Sequence, residues 1–247
     1  MAEISSSFPF SWQITQNARR RGLDEDALKE LRHLTDLHQN IKDYCDRFEA
    51  AFLLKEDLSE RCLRVRATMI DTYRTISEGS YEAFNSLRSI SDDMSLHTRW
   101  MEVTFRDSVM QLSQFDDALK EFNIQLKKST HLPVNLARAP RGWNRTFVEA
   151  FPTQKNTRNT VAHEAENYAS KARRESNTVS EAFEIGDDVV GEGGNVLVGL
   201  MTDDSISYSR DGKILTARLD QAAVDTLKLC LRQIEEYLFA LVDVKAD

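Results

Sequence analysis

Apolar residues recur along this chain at alternating steps of three and four, the spacing that lines one face of an α-helix. The first seam follows Asp24, a helix-start residue, and runs Ala27, Leu31, Leu34, His38, Ile41, Cys45, Phe48 and Phe52. A second begins near Asp57 with Leu58, Cys62, Val65, Met69, Thr72 and Ile76; Gly79 is placed to kink or end it before Phe84 and Leu87. A third starts near Ser91 and Asp92 and carries Met101, Phe105, Val109, Leu112, Phe115, Leu119, Phe122 and Leu126. Helices of this kind draw most of their stability from burying the seam. Short connections between them predict antiparallel neighbours, and the aromatic seam positions favour a compact bundle over an extended coiled coil. Residues 1–22 precede the first seam and read as a flexible N-terminal arm carrying Arg19, Arg20 and Arg21.

From His131 to Pro152 the periodicity breaks, with three of the four prolines in that stretch. It reads as an irregular connection with one short helix around Trp143 to Ala150. Thr153 is then a capping candidate for a fourth helix over 153–175, with Val161, Ala165, Tyr168 and Ala172 as its apolar edge. After Gly186 the pattern turns to short β-like runs, and Asp211-Gly212 is a favoured tight hairpin turn. Asp220 starts a last helix with Val224, Leu227, Leu231, Ile234, Leu238 and Leu241 on its seam. The expected fold is therefore dominated by α-helix. It is an antiparallel helical bundle over residues 23–247, with a small C-terminal β-hairpin or meander inserted at about 195–218 and a final helix.

Composition narrows the function. The chain has 247 residues, 41% of them hydrophobic, with only 9 glycines and 4 prolines, which excludes wholesale disorder and disfavours an all-β fold. A net charge of −8 argues against an indiscriminate nucleic-acid binder but leaves room for a local basic site. No apolar run reaches 18 residues, so no membrane partner is expected. The start, MAEISSSFPFSWQ, lacks the basic and apolar regions of a secretion signal. Cys45, Cys62 and Cys230 form no CxxC pair, which fits a reducing, cytoplasmic setting. Walker, GxGxxG, HExxH and GxSxG patterns are absent, and the histidines show no metal-ligand spacing, so neither cofactor nor metal is expected.

One constellation stands apart: Arg158, Asn159 and His163, with four residues between the arginine and the histidine. At this motif, and in its helical surroundings, the chain resembles the HEPN domains found in many RNA-cleaving toxin and defence proteins. The resemblance implies an endoribonuclease that needs no metal and leaves a cyclic phosphate. It implies a homodimer with the motif helices facing each other, RNA as substrate, and a toxin or antiviral defence role with an antitoxin or other protein partner. A looser pair, Arg32 and His38, is set aside because His38 lies on the core seam.

The chemistry of the residues runs parallel to the resemblance. Cleaving RNA without a metal needs a base for the 2′-hydroxyl, an acid for the leaving oxygen and a cation for the phosphate. Imidazole ordinarily titrates near neutrality, which makes His163 the acid–base candidate. Arg158 is the candidate oxyanion clamp, and Asn159 can orient the imidazole or bond the ribose. On one continuous helix Asn159, His163 and Ser170 would share a face turned away from Val161 and Tyr168. Upstream, Lys127, Lys128, Arg138, Arg141, Arg145 and Lys155 join Arg158 against one acid, Glu149. That run is a candidate phosphate-binding surface, on which Trp143 and Phe147 could stack bases. The other readings are an ordinary solvated basic face, with the two aromatics anchoring the connection to the bundle. Beyond those lie a catalytically inactive HEPN-like nucleotide- or RNA-binding protein, and a helical protein-interaction module. Residues 181–211 are acidic and are expected to face away from the site.

Overall fold

The computed structural model describes residues 10–77, 81–132, 142–185 and 189–243. Its helices among these are α1 (Phe10–Arg20), α2 (Glu25–Ser77), α3 (Tyr81–Lys128), α4 (Gly142–Ala150), α5 (Gln154–Ala162), α6 (Glu164–Tyr168), α7 (Lys171–Ser176) and α8 (Gln221–Asp243). The strands are β1 (Phe183–Ile185), β2 (Val189–Gly191), β3 (Leu200–Met201), β4 (Ser205–Arg210) and β5 (Lys213–Arg218). The fold is thus dominated by α-helix, with small antiparallel sheets and a final helix.

Two of the expected helix boundaries moved. The break expected between Phe52 and Asp57 does not occur, because no glycine or proline interrupts that stretch and α2 passes through it unbroken. Ser91 and Asp92 lie inside α3, which starts ten residues earlier. Asp24 does start α2, accepting the Ala27 N–H at 2.8 Å, and Asp220 starts α8 by accepting the Ala223 N–H at 2.7 Å.

Contacts divide the chain into two compact units. The first comprises Met1–Asp46, Gln114–Pro152 and Asp225–Asp247. Its core is the convergence of the seams: Leu31, Leu34 and Ile41 from α2, Phe115 and Phe122 from α3, and Leu227, Ile234 and Leu238 from α8 are all buried. Each such side chain contributes about 1.5–3 kcal/mol on burial. Residues 10–20, expected within a loose arm, instead form α1, whose Ile14 and Ala18 are fully buried. The reason is an apolar pair at i and i+4 in a segment too short to show a seam. Residues 1–9 of that arm lie outside the described residues.

The second unit comprises Arg47–Ser113 and Thr153–Val224. Its sheet β3–β4–β5 is a meander, with Ile206 opposite Ala217 and Tyr208 opposite Leu215. Asp211 and Gly212 take φ of 50° and 71°, the left-handed pair that a two-residue hairpin turn requires. Strand β4 is buried from Ser205 to Ser209 on both faces. Its serines are satisfied: Ser207 Oγ bonds Thr216 Oγ1 at 2.9 Å, and Ser209 Oγ accepts from the Leu197 N–H at 2.8 Å. A separate hairpin, β1–β2, was not foreseen; its strands are three residues each, too short to show alternation.

Candidate active site

The segment holding the motif is not one helix. It forms α5, α6 and α7, with breaks at His163 and at Ala169–Ser170. Asparagines and β-branched residues at Asn156, Thr157, Asn159, Thr160 and Val161 make this a weak helix, so the tertiary surroundings decide its course. At His163 the backbone leaves the helical region, with φ −115° and ψ 26°. The edge that packs inward is polar: Gln154, Thr157 and Thr160. The two threonines manage this by returning their hydroxyls to carbonyls four residues back, Thr157 to Thr153 at 3.1 Å and Thr160 to Asn156 at 2.9 Å. The expected apolar edge is therefore displaced, and Ala165 and Ala172 are exposed. Thr153 makes no side-chain cap; its hydroxyl donates to the Thr216 carbonyl on β5 at 3.3 Å. Ser170 leaves the face expected for it and caps α7, accepting from the Arg173 N–H at 3.3 Å.

Asn159 and His163 nevertheless converge. Together with Glu166, Asn167, Arg173 and Arg210 they line one open cleft of about 510 Å³. The His163 side chain is 55% exposed, and its Nδ1 lies 3.3 Å from Glu166 Oε2. The imidazole is thus on the cleft wall, with Nδ1 beside the Glu166 carboxylate. Glu166 lines the same cleft and is itself exposed, so the two form a solvent-facing pair three residues apart. Arg158 Nη1 donates to Asn159 Oδ1 at 3.1 Å, which directs the nitrogen end of the Asn159 amide elsewhere.

Behind the cleft the motif is tied to its unit by α3 and the meander. Arg106 Nη2, on α3, donates to Glu164 Oε1 at 3.0 Å, holding the first residue of α6 beside the break. The Tyr168 hydroxyl donates to the Leu197 and Ser209 carbonyls at 3.1 and 2.8 Å. Burial, with the nearby Glu164 carboxylate adding to it, pushes the Tyr168 phenol up to about 12. Tyr168 therefore stays a neutral hydrogen-bond donor that anchors the meander. Arg210 ends β4, so the stretch 181–211 does not turn wholly away from the site as its acidity suggested.

The other candidate residues divide between the two units. Trp143 is 2% exposed, packs edge-on against Phe122 and Tyr237 at 6.1 and 5.4 Å, and donates from Nε1 to Asn123 Oδ1 at 3.3 Å. Phe147 stacks on Phe115 at 5.4 Å. Base stacking is thus excluded for both; they anchor α4 in the core of the first unit. Lys127 and Lys128 are exposed at the end of α3, and Arg145 pairs along α4 with Glu149 at 2.7 Å. Lys127, Lys128, Trp143, Arg145 and Phe147 belong to the first unit, whereas the exposed Lys155 and the motif belong to the second. Arg138 and Arg141 lie outside the described residues. Comparison of the chain with protein-family models, with curated proteins and with solved structures finds no match. Among the described residues no helix is long and apolar enough to cross a membrane.

Proposed function

We propose that this protein is a HEPN-like endoribonuclease that cleaves RNA without a metal, in the service of a toxin or antiviral defence system. The observation that carries the reading is the convergence of Asn159 and His163 on one solvent-open cleft, with Glu166 paired to the imidazole. In the proposed step the 2′-oxygen attacks the adjacent phosphorus while the His163 imidazole takes its proton. The bond to the 5′-oxygen breaks, and that oxygen leaves with a proton from a second imidazole. The products are a 2′,3′-cyclic phosphate and a 5′-hydroxyl. One copy supplies one such imidazole at this cleft, so a second copy facing it across the RNA supplies the other, and the working form is a homodimer.

The test is cleavage of RNA in the presence of a chelator by the wild type and by His163→Ala. Loss of a single acid–base group costs about 10²- to 10⁴-fold in rate. Light scattering should give a dimer. A monomer that persists with RNA present would count against the shared site. A second reading, a catalytically inactive nucleotide- or RNA-binding protein, is favoured by one observation: the Arg158 guanidinium bonds Asn159 and is not among the groups lining the cleft. Binding of RNA without any cleavage by the wild type would select it.

A further inference from the structure

We infer that the cleft holds a phosphodiester through Arg210 and Arg173, and that Arg158 is a positioning residue for Asn159. The inference rests on reading the cleft as a phosphodiester site, and it moves the phosphate-binding role away from the arginine of the motif.

The guanidinium of Arg158 is turned inward. Its Nη1 is spent on Asn159 Oδ1, and its Nε is buried without a hydrogen-bond partner. A phosphate in the cleft would meet other cations. Arg210 reaches it from the end of β4, and its ion-pair contact, Nε to Asp211 Oδ2 at 3.8 Å, is too long for a hydrogen bond. The strand that carries it is held in place: β4 pairs with β5 through the tight turn, and the Asp211 N–H donates to Asn177 Oδ1 at 3.0 Å. Arg173 is fixed by a 2.6 Å bond from Nη1 to the Glu166 carbonyl, which sets the plane of its guanidinium and leaves the rest of the fork for a ligand. Pre-set donors lose little freedom on binding.

The remaining lining groups agree with an anion. Asn159 has its oxygen engaged by Arg158 and offers its amide nitrogen. Glu166 is the one acid on the wall, and it is paired with His163. A volume of about 510 Å³ suits a single nucleotide unit rather than a bare metal or a large cofactor. The two arginines stand on different elements, α7 and β4, so they can take separate oxygens of one phosphate or of neighbouring phosphates.

The experiment is fluorescence anisotropy of a labelled 2′-O-methyl RNA oligonucleotide, which carries the phosphodiester but no attacking hydroxyl. Arg210→Ala should weaken binding about tenfold and reduce the salt dependence by about one phosphate contact. Arg173→Ala should act in the same direction, and Arg210→Lys should restore part of the loss. Arg158→Ala should leave affinity within about twofold of the wild type while lowering the cleavage rate through Asn159. Thermal melts of each variant identify any that fails to fold, and Arg210→Lys keeps the test informative there. Absence of binding by the wild type, binding indifferent to Arg210, or an Arg158→Ala loss as large as that of Arg210→Ala would overturn the inference. Arg210-dependent binding with no cleavage of ordinary RNA would sustain it and defeat the ribonuclease reading. Cleavage with binding indifferent to Arg210 would do the reverse.

Discussion

The surroundings of Trp143 and the segment from Gln154 to Ser176 solve the problem of polar groups in opposite ways. Around Trp143 the side chains are aromatic and aliphatic, and the indole N–H is answered inside the core by Asn123. In the segment that carries the motif, the packed edge is threonine and glutamine, while imidazole, amide and guanidinium groups stand around an open cleft. The first arrangement is held by area removed from water, the second by bonds that bind each polar atom to its own backbone or to a neighbouring element. Stability and candidate chemistry therefore sit on different kinds of sequence, which makes them separable by mutation.

The largest effect should come from Trp143→Ala. It empties a core position and leaves Asn123 without its donor, at a cost of about 3–5 kcal/mol in denaturant unfolding. A cost near that of a surface change would contradict the buried placement and return Trp143 to the surface. The unit that holds Trp143 should also respond to pH, through His38. Burial holds its imidazole below the usual value, only partly offset by Glu235 at 3.2 Å, and Lys42 pushes the same way as burial. The unfolded chain takes up this proton below about pH 6.5 while the folded chain resists it. Stability from this group is thus present above pH 6.5 and is lost as pH falls toward the folded value, at no more than about 1.4 kcal/mol per pH unit. Melting curves of His38→Gln should flatten that dependence, and an unchanged slope would remove His38 from it.

Gly212→Ala should cost about 1–2 kcal/mol, less than Trp143→Ala, because φ of 71° strains any side chain there. Hydrogen exchange should then report loosening in β4 and β5 rather than in α8. The least effect on stability should come from His163→Ala, within about 0.5 kcal/mol of the wild type, as expected for an exposed side chain. A larger loss would mean that the imidazole is structural, and the contrast between the two regions would fail at the point where it matters most.

The first and third seams were legible because burial imposes a period on many residues at once, whereas the second is buried at Leu58 and only half-buried at Cys62, Val65, Met69, Thr72 and Ile76. Leu31, Leu34, Ile41, Phe105, Phe115 and Phe122 are all where that period placed them. The Asp211-Gly212 turn was legible for a local reason, the left-handed backbone it requires. The motif segment was not. Its packed edge is Thr157 and Thr160, whose burial depends on hydroxyls bonded to their own helix and leaves no hydrophobic signal. Helix α1 was missed because two buried residues in eleven make no pattern. Within the site, Asn159 and His163 could be named from spacing. Arg210 could not, since it arrives from a strand fifty residues downstream, and only the meander's register brings it to the cleft.

The most direct test of the proposed chemistry is end-group analysis of the fragments that the purified protein makes from a defined RNA oligonucleotide in excess chelator. The expected result is fragments ending in 2′,3′-cyclic phosphate, matched by 5′-hydroxyl partners and absent with His163→Ala. Fragments ending in 3′-hydroxyl, or identical fragments from the wild type and His163→Ala, would contradict it.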